Sequence, residues 1–106
     1  MNLALTRAAQ NYAQYMGAAN FFDHYGPDGS TPWSRAEAEG YTGWTYMGEN
    51  IAAGYATPAA VMAGWMNSPG HRANILEPGF RDIGVGYAYV PGSTYGYYWV
   101  QDFGSR

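Results

Sequence analysis

The chain changes its hydrophobic period once, and that change limits what it can fold into. Near the start, Leu5, Ala8, Ala9, Tyr12, Ala13 and Met16 recur every three or four residues. This spacing predicts an amphipathic helix, with Arg7, Gln10, Asn11 and Gln14 on its other side and an end at Gly17 or near Asn20. In the last quarter the period becomes two. Ile83, Val85, Tyr87 and Tyr89 alternate with Gly84, Gly86 and Ala88, and Pro91-Gly92-Ser93-Thr94 turns the chain. Tyr95, Tyr97, Trp99, Gln101 and Phe103 then alternate with Gly96, Tyr98, Val100 and Asp102, which predicts an antiparallel hairpin. Helices followed by a hairpin indicate an α+β fold. The nearly bare face of the first strand admits a helix or ligand at close range. Its bulky face, Ile83, Val85 and Tyr87, is expected to be core, together with Trp65.

Between these ends, punctuation residues place the remaining elements. Phe21 to Gly29 reads as an ordered loop that turns at Pro27-Asp28-Gly29. Thr31-Pro32 opens a short helix over about 32 to 39, stopped by Gly40. Thr57-Pro58 opens another, on which Val61, Met62, Trp65 and Met66 form an apolar stripe. Ser68-Pro69 starts a further turn or two, from Gly70 to Leu76, and Pro78-Gly79 closes it. At 106 residues the whole chain is expected to be one domain, 1–106.

Composition removes several function classes. The net charge is −3, with five Arg and no Lys, too little positive charge to neutralise phosphates, so no nucleic-acid partner is expected. The same deficit argues against anionic lipid surfaces. Without Cys there are no disulfides, thiol nucleophiles or thiolate metal sites. No stretch approaches the roughly 18 apolar residues of a transmembrane segment, and no signal peptide precedes the first helical pattern.

Candidate chemistry rests on few residues. His24 and His71 are the two histidines, each in a polar, glycine-rich context. His71 follows Ser68-Pro69-Gly70 in the first turn of a predicted helix, where the helix dipole disfavours imidazolium and keeps the ring neutral near pH 7. Neutral imidazole ligates metals or accepts protons. Glu49 precedes the apolar Ile51-Ala52-Ala53 run, where a carboxylate needs partners; as a functional acid or as a brace for backbone amides it fits equally well. A hydrolase reading faces gaps. Two His on one helical turn, the usual zinc-protease spacing, are absent. Ser68 near His71 lacks an orienting acid in sequence, although Asp102 could supply one in space. Glu49 alone is well placed for carboxylate-pair chemistry.

The order of motifs carries a resemblance. Phe22-Asp23-His24 with Pro27-Asp28-Gly29, Gly48-Glu49-Asn50-Ile51, the block from Trp65 to Leu76 (Trp-Met-Asn-Ser-Pro-Gly-His-Arg-Ala-Asn-Ile-Leu), Ile83-Gly84-Val85-Gly86 and Trp99-Val100-Gln101-Asp102-Phe103 follow one another. Together, from about residue 3 to 103, they resemble the bacterial branch of the CAP superfamily (cysteine-rich secretory proteins, antigen 5, pathogenesis-related proteins). The resemblance implies a three-layer α-β-α sandwich around a small antiparallel sheet, the SCP-like fold. It also implies a secreted, extracellular or cell-envelope setting, and a shallow cleft of two His and two acids that takes a divalent metal in several members. Carried over residue by residue, the cleft would hold His24, Glu49, Ser68 and His71. The metal ligands would be His24, Glu49 and His71, suited to zinc or a similar ion. Ser68 stands where eukaryotic members carry the second acid.

The resemblance further implies a helical stretch before the part matched here, so an uncovered apolar patch and a monomer or weak homo-oligomer are expected. The leading functional expectation is a binding module with an aromatic groove, walled by Tyr25, Trp44, Tyr46, Tyr55 and the strand aromatics. Its ligand would be a small molecule, a lipid, cell-wall material or a protein partner. A metal-assisted hydrolase and a purely structural scaffold are the alternatives.

Overall fold

The computed structural model describes all 106 residues. Asn2 opens α1 (Leu3–Ala19) by accepting the Leu5 amide on its side chain at 3.0 Å, and Asn20 ends it in the left-handed region at φ 56°. Thr31 and Ser34 form a reciprocal capping box at the head of α2 (Pro32–Ala38). β1 (Tyr46–Ala53) follows, then α3 (Pro58–Met66), capped by Thr57, and α4 (Pro69–Leu76). The expected hairpin closes the chain as β2 (Asp82–Tyr89) and β3 (Tyr97–Ser105).

The three strands form one antiparallel sheet in the order β1-β3-β2. The hairpin is therefore only part of it. β1 escapes a reading by alternation because Glu49, Asn50, Ile51 and Ala52 are buried in succession. A strand covered on both faces does not alternate. On one face, α1 and α2 enclose a core of Ala9, Tyr12, Ala13, Met16, Ile51, Ala88, Tyr98 and Val100. On the other, α3 packs Val61 and Trp65 against Ala52 and Trp99, with the partly buried Ile75 of α4 alongside. These are the three layers of an α+β sandwich.

Trp65 is core as expected, 3% exposed, with its indole N–H bonded to the Ile51 carbonyl. The expectation for β2 is reversed. Its buried face is the bare one, Gly84, Gly86 and Ala88, while Ile83 and Val85 are half-buried and Tyr87 and Tyr89 exposed. A Cβ on Gly84 would run into the Leu5 backbone, and one on Gly86 into the Ala9 backbone. Helix backbone rests directly on strand backbone here, so the bulky residues must point the other way. On this outer row Tyr87 packs against Trp99 and Tyr89 against Tyr97. The outer edge of β2 is sealed at one point: the Gln10 amide donates to the Tyr87 carbonyl at 2.8 Å and accepts the Tyr87 N–H at 2.9 Å, as a paired strand would.

Candidate functional site

The site is organised by β1, an edge strand whose successive side chains point to opposite faces. Glu49 points toward the α1–α2 layer and Asn50 toward α3–α4, so neighbours in one motif serve two different clefts.

On the first side, His24 Nδ1 lies 2.9 Å from Glu49 Oε1. An ionised carboxylate only accepts, so Nδ1 carries the hydrogen and Nε2 is left without a protein partner. The His24 side chain is 42% exposed, whereas that of Glu49 is 2% exposed. A buried carboxylate needs a countercharge, and Arg35 of α2 supplies it. Its Nη2 donates to Glu49 Oε2 at 3.2 Å, to Oε1 at 3.3 Å and to the His24 carbonyl at 2.8 Å, while Nη1 donates to Ser30 Oγ at 3.1 Å. The guanidinium lies over the Tyr12 ring, 3.3 Å from its centroid.

Behind Glu49, directly across the β1–β3 register, stands Asp102, 1% exposed. No backbone amide, hydroxyl or cationic side chain donates to either of its oxygens. Burial first, then the neighbouring Glu49 charge, pushes its pKa well above the usual carboxylate range.

On the second side, Asn50 donates to the His71 carbonyl at 3.0 Å and to Gln101 Oε1 at 3.1 Å, and accepts from Asn74 at 3.0 Å. These bonds pin α4 to the sheet, since α4 buries no residue fully. Ser68 precedes α4, but its side chain caps nothing and instead shares a 2.9 Å hydrogen bond with His71 Nδ1. Burial first, then the neighbouring His24 charge, lowers the His71 pKa and favours the neutral ring expected from sequence.

The four expected residues therefore divide into pairs. His24 and Glu49 line a cleft of about 190 Å³ with Tyr25, Trp33 and Met47. Ser68 and His71 line a neighbouring one of about 280 Å³ with Phe22, Tyr55 and Trp65. The three expected metal ligands do not converge: no group of three or more His, Asp or Glu side chains is placed to hold a metal ion.

Two of the four expected groove walls are elsewhere. Trp44 donates to Glu37 and packs near Tyr41, and Tyr46 stacks on Phe80. Tyr25 and Tyr55 do line clefts, and Trp33, unremarked in sequence, joins Tyr25 with ring centroids 6.5 Å apart. Arg35 also went unseen, because nothing local marks one arginine on a short helix as buried. Asp102 left a signal: it shares an alternating row with Tyr98 and Val100, where an acid is out of place.

Known proteins match this architecture. YkwD of Bacillus subtilis (strain 168) is 42% identical over 99 residues, which cover 93% of this chain and 36% of YkwD. A crystal structure of an extracellular protein containing an SCP domain, from Bacillus anthracis str. Ames, superposes with a TM-score of 0.85 at 30% identity, over 99% of this chain and 33% of that one. An outer surface protein of Borrelia burgdorferi shares the fold with a TM-score of 0.86 at 24% identity, over 99% of this chain and 75% of that protein. The chain thus spans about a third of the length of both Bacillus proteins. The family model for CAP, the cysteine-rich secretory protein family, matches residues 1–103, and with it the sheet, both histidines and the motif that orients them: the chain belongs to the CAP family.

Proposed function

We propose that this domain is an extracellular or cell-envelope binding module, and that its ligand seats in the cleft between His24, Tyr25 and Trp33. The observation that carries this reading is the state of Glu49. The one acid lining this cleft is inaccessible and neutralised by Arg35, so it is not free to act as a general base. What the cleft presents to solvent is an imidazole edge beside two exposed aromatic rings, Tyr25 and Trp33. Such a surface stacks on an apolar face and hydrogen-bonds a polar group without a catalytic step. The extracellular setting of the Bacillus anthracis relative supports the location.

Two soluble probes test this by NMR: an N-acetylglucosamine oligomer for cell-wall material and phosphatidylcholine micelles for lipid. Resonances of His24, Tyr25 and Trp33 should move with one of them, and Trp33→Ala should abolish the response. Perturbation confined to the β2 outer face, or none with either probe, would overturn the cleft as the ligand site.

The Ser68–His71 hydrogen bond favours a second reading, an esterase with Ser68 as nucleophile. Its expected orienting acid is missing. Asp102 faces α1 and α2, on the opposite side of the sheet from Ser68, and no carboxylate bonds His71. Hydrolysis of p-nitrophenyl acetate should not exceed that of His71→Ala or His24→Ala. A rate lost in His71→Ala alone would establish the esterase.

A further inference from the structure

We propose that Arg35 is the resident cation of this cleft, holding the place beside Glu49 that a metal ion would need and making the carboxylate an anchor for His24 instead of a ligand. Four observations converge on it. Arg35 bonds both Glu49 oxygens, and the same Nη2 bonds the His24 carbonyl. Nη1 is tied to Ser30, and the guanidinium lies over the Tyr12 ring. The side chain is 11% exposed, so it has no ready solvent-facing alternative. Its backbone is fixed as well, because α2 starts with Pro32 and a complete capping box one turn earlier.

Charge gives the same answer, since Arg35 is the cation already within hydrogen-bonding distance of Glu49. A divalent ion on Glu49 would share that carboxylate with a guanidinium at hydrogen-bonding distance in a poorly solvated place, where like charges repel strongly. The ion would have to expel Arg35 from Tyr12, Ser30 and the His24 carbonyl at once. The arrangement also defines what His24 is for. Its Nδ1 is held by a carboxylate, the partner that orients metal-binding and proton-accepting imidazoles alike, so Nε2 is the atom it offers to the cleft. Any metal affinity of the native domain then rests on imidazole nitrogen and is independent of Glu49 as a ligand.

Cobalt(II) is the probe, since its visible spectrum reports coordination directly. Titrated into the native chain and into Glu49→Gln, it should bind both with affinities within about threefold and with the same spectrum. Arg35→Met keeps the apolar stem and removes the charge, so it should bind cobalt at least tenfold more tightly. That gain should vanish in Arg35→Met with Glu49→Gln. A tenfold or greater loss in Glu49→Gln, with melting and circular dichroism intact, would overturn the proposal. If either variant fails to fold, the native chain decides by itself: on saturation with diamagnetic zinc(II) the Arg35 guanidinium resonances should persist as a bound pair. Their release into rapid exchange with solvent would show that the metal takes the carboxylate. Neither result bears on glycan or lipid seating at Trp33, so the binding-module reading stands or falls separately.

Discussion

The two faces of the sheet are held by different means. On one, α1 lies backbone to backbone on Gly84 and Gly86 and buries seven residues, from Leu5 to Gly17. On the other, α4 buries none and hangs from side-chain amides, chiefly Asn50 and Asn74. The tight face has room for a charged group only where it is completely neutralised, as Glu49 is by Arg35. The loose face leaves Ser68 and His71 half-buried over an open cleft. The difference teaches that one histidine is anchored through a buried ion cluster, while the other sits on a helix held mainly by side-chain hydrogen bonds.

Four changes would break or sharpen this contrast, the largest first. Gly84→Val combined with Gly86→Val sets side chains against helix backbone that cannot yield, so α1 should fail to dock. A thermal scan should then show no cooperative transition. Trp65→Ala empties the main core residue of the looser face and should cost about 3–5 kcal/mol in urea unfolding. A loss below about 1 kcal/mol would mean that α3 contributes little to the fold.

Asn50→Ala should cost less, about 1–3 kcal/mol, by leaving buried hydrogen-bonding groups of Gln101 and Asn74 unpaired. Its signature is local: amide exchange in α4 should accelerate well beyond that in α1. Equal acceleration in both helices would refute the independence of the two layers.

The smallest and most graded effect concerns Asp102. Its folded pKa is raised, so its contribution to stability is complete below the unfolded carboxyl pKa of about 3.9. That contribution is lost as pH rises from there through the folded value. Asp102→Asn, which imitates the protonated acid, should lack this loss. The urea midpoint of the native chain should therefore fall relative to the variant as pH is raised from about 4 to 8. Parallel curves would mean that Asp102 is ionised in the fold.

Much of the fold was legible because its signals are local. The periodicity of α1, the Thr-Pro and Ser-Pro openings of α2, α3 and α4, and the alternation of β2 and β3 each depend on residues a few positions apart. Reading failed where burial came from elsewhere in the chain. β1 does not alternate because helices cover both its sides. The inward face of β2 was misassigned because size, a sound guide when side chains fill a core, inverts when two backbones touch. At the site, His24 and Glu49 were picked out with Ser68 and His71 because their motifs are distinctive. Arg35 was not, since what distinguishes it is its position over Tyr12, 23 residues earlier in the chain.

The sequence by itself determined the α+β class, the helix boundaries and the family, since each is written in spacing and in contiguous motifs. It also determined which few residues were available for chemistry. Tertiary structure alone decided how they are used. The alternation of side chains along β1 sends Glu49 and Asn50 to opposite faces, so that Glu49 bonds the His24 ring while Asn50 holds the His71 carbonyl. The register of β1 with β3 places Asp102 behind Glu49, where burial and the Glu49 charge raise its pKa. The packing of α2 against α1 supplies Arg35. Charge state follows from burial and partners, and both are properties of the assembled layers that no single segment contains.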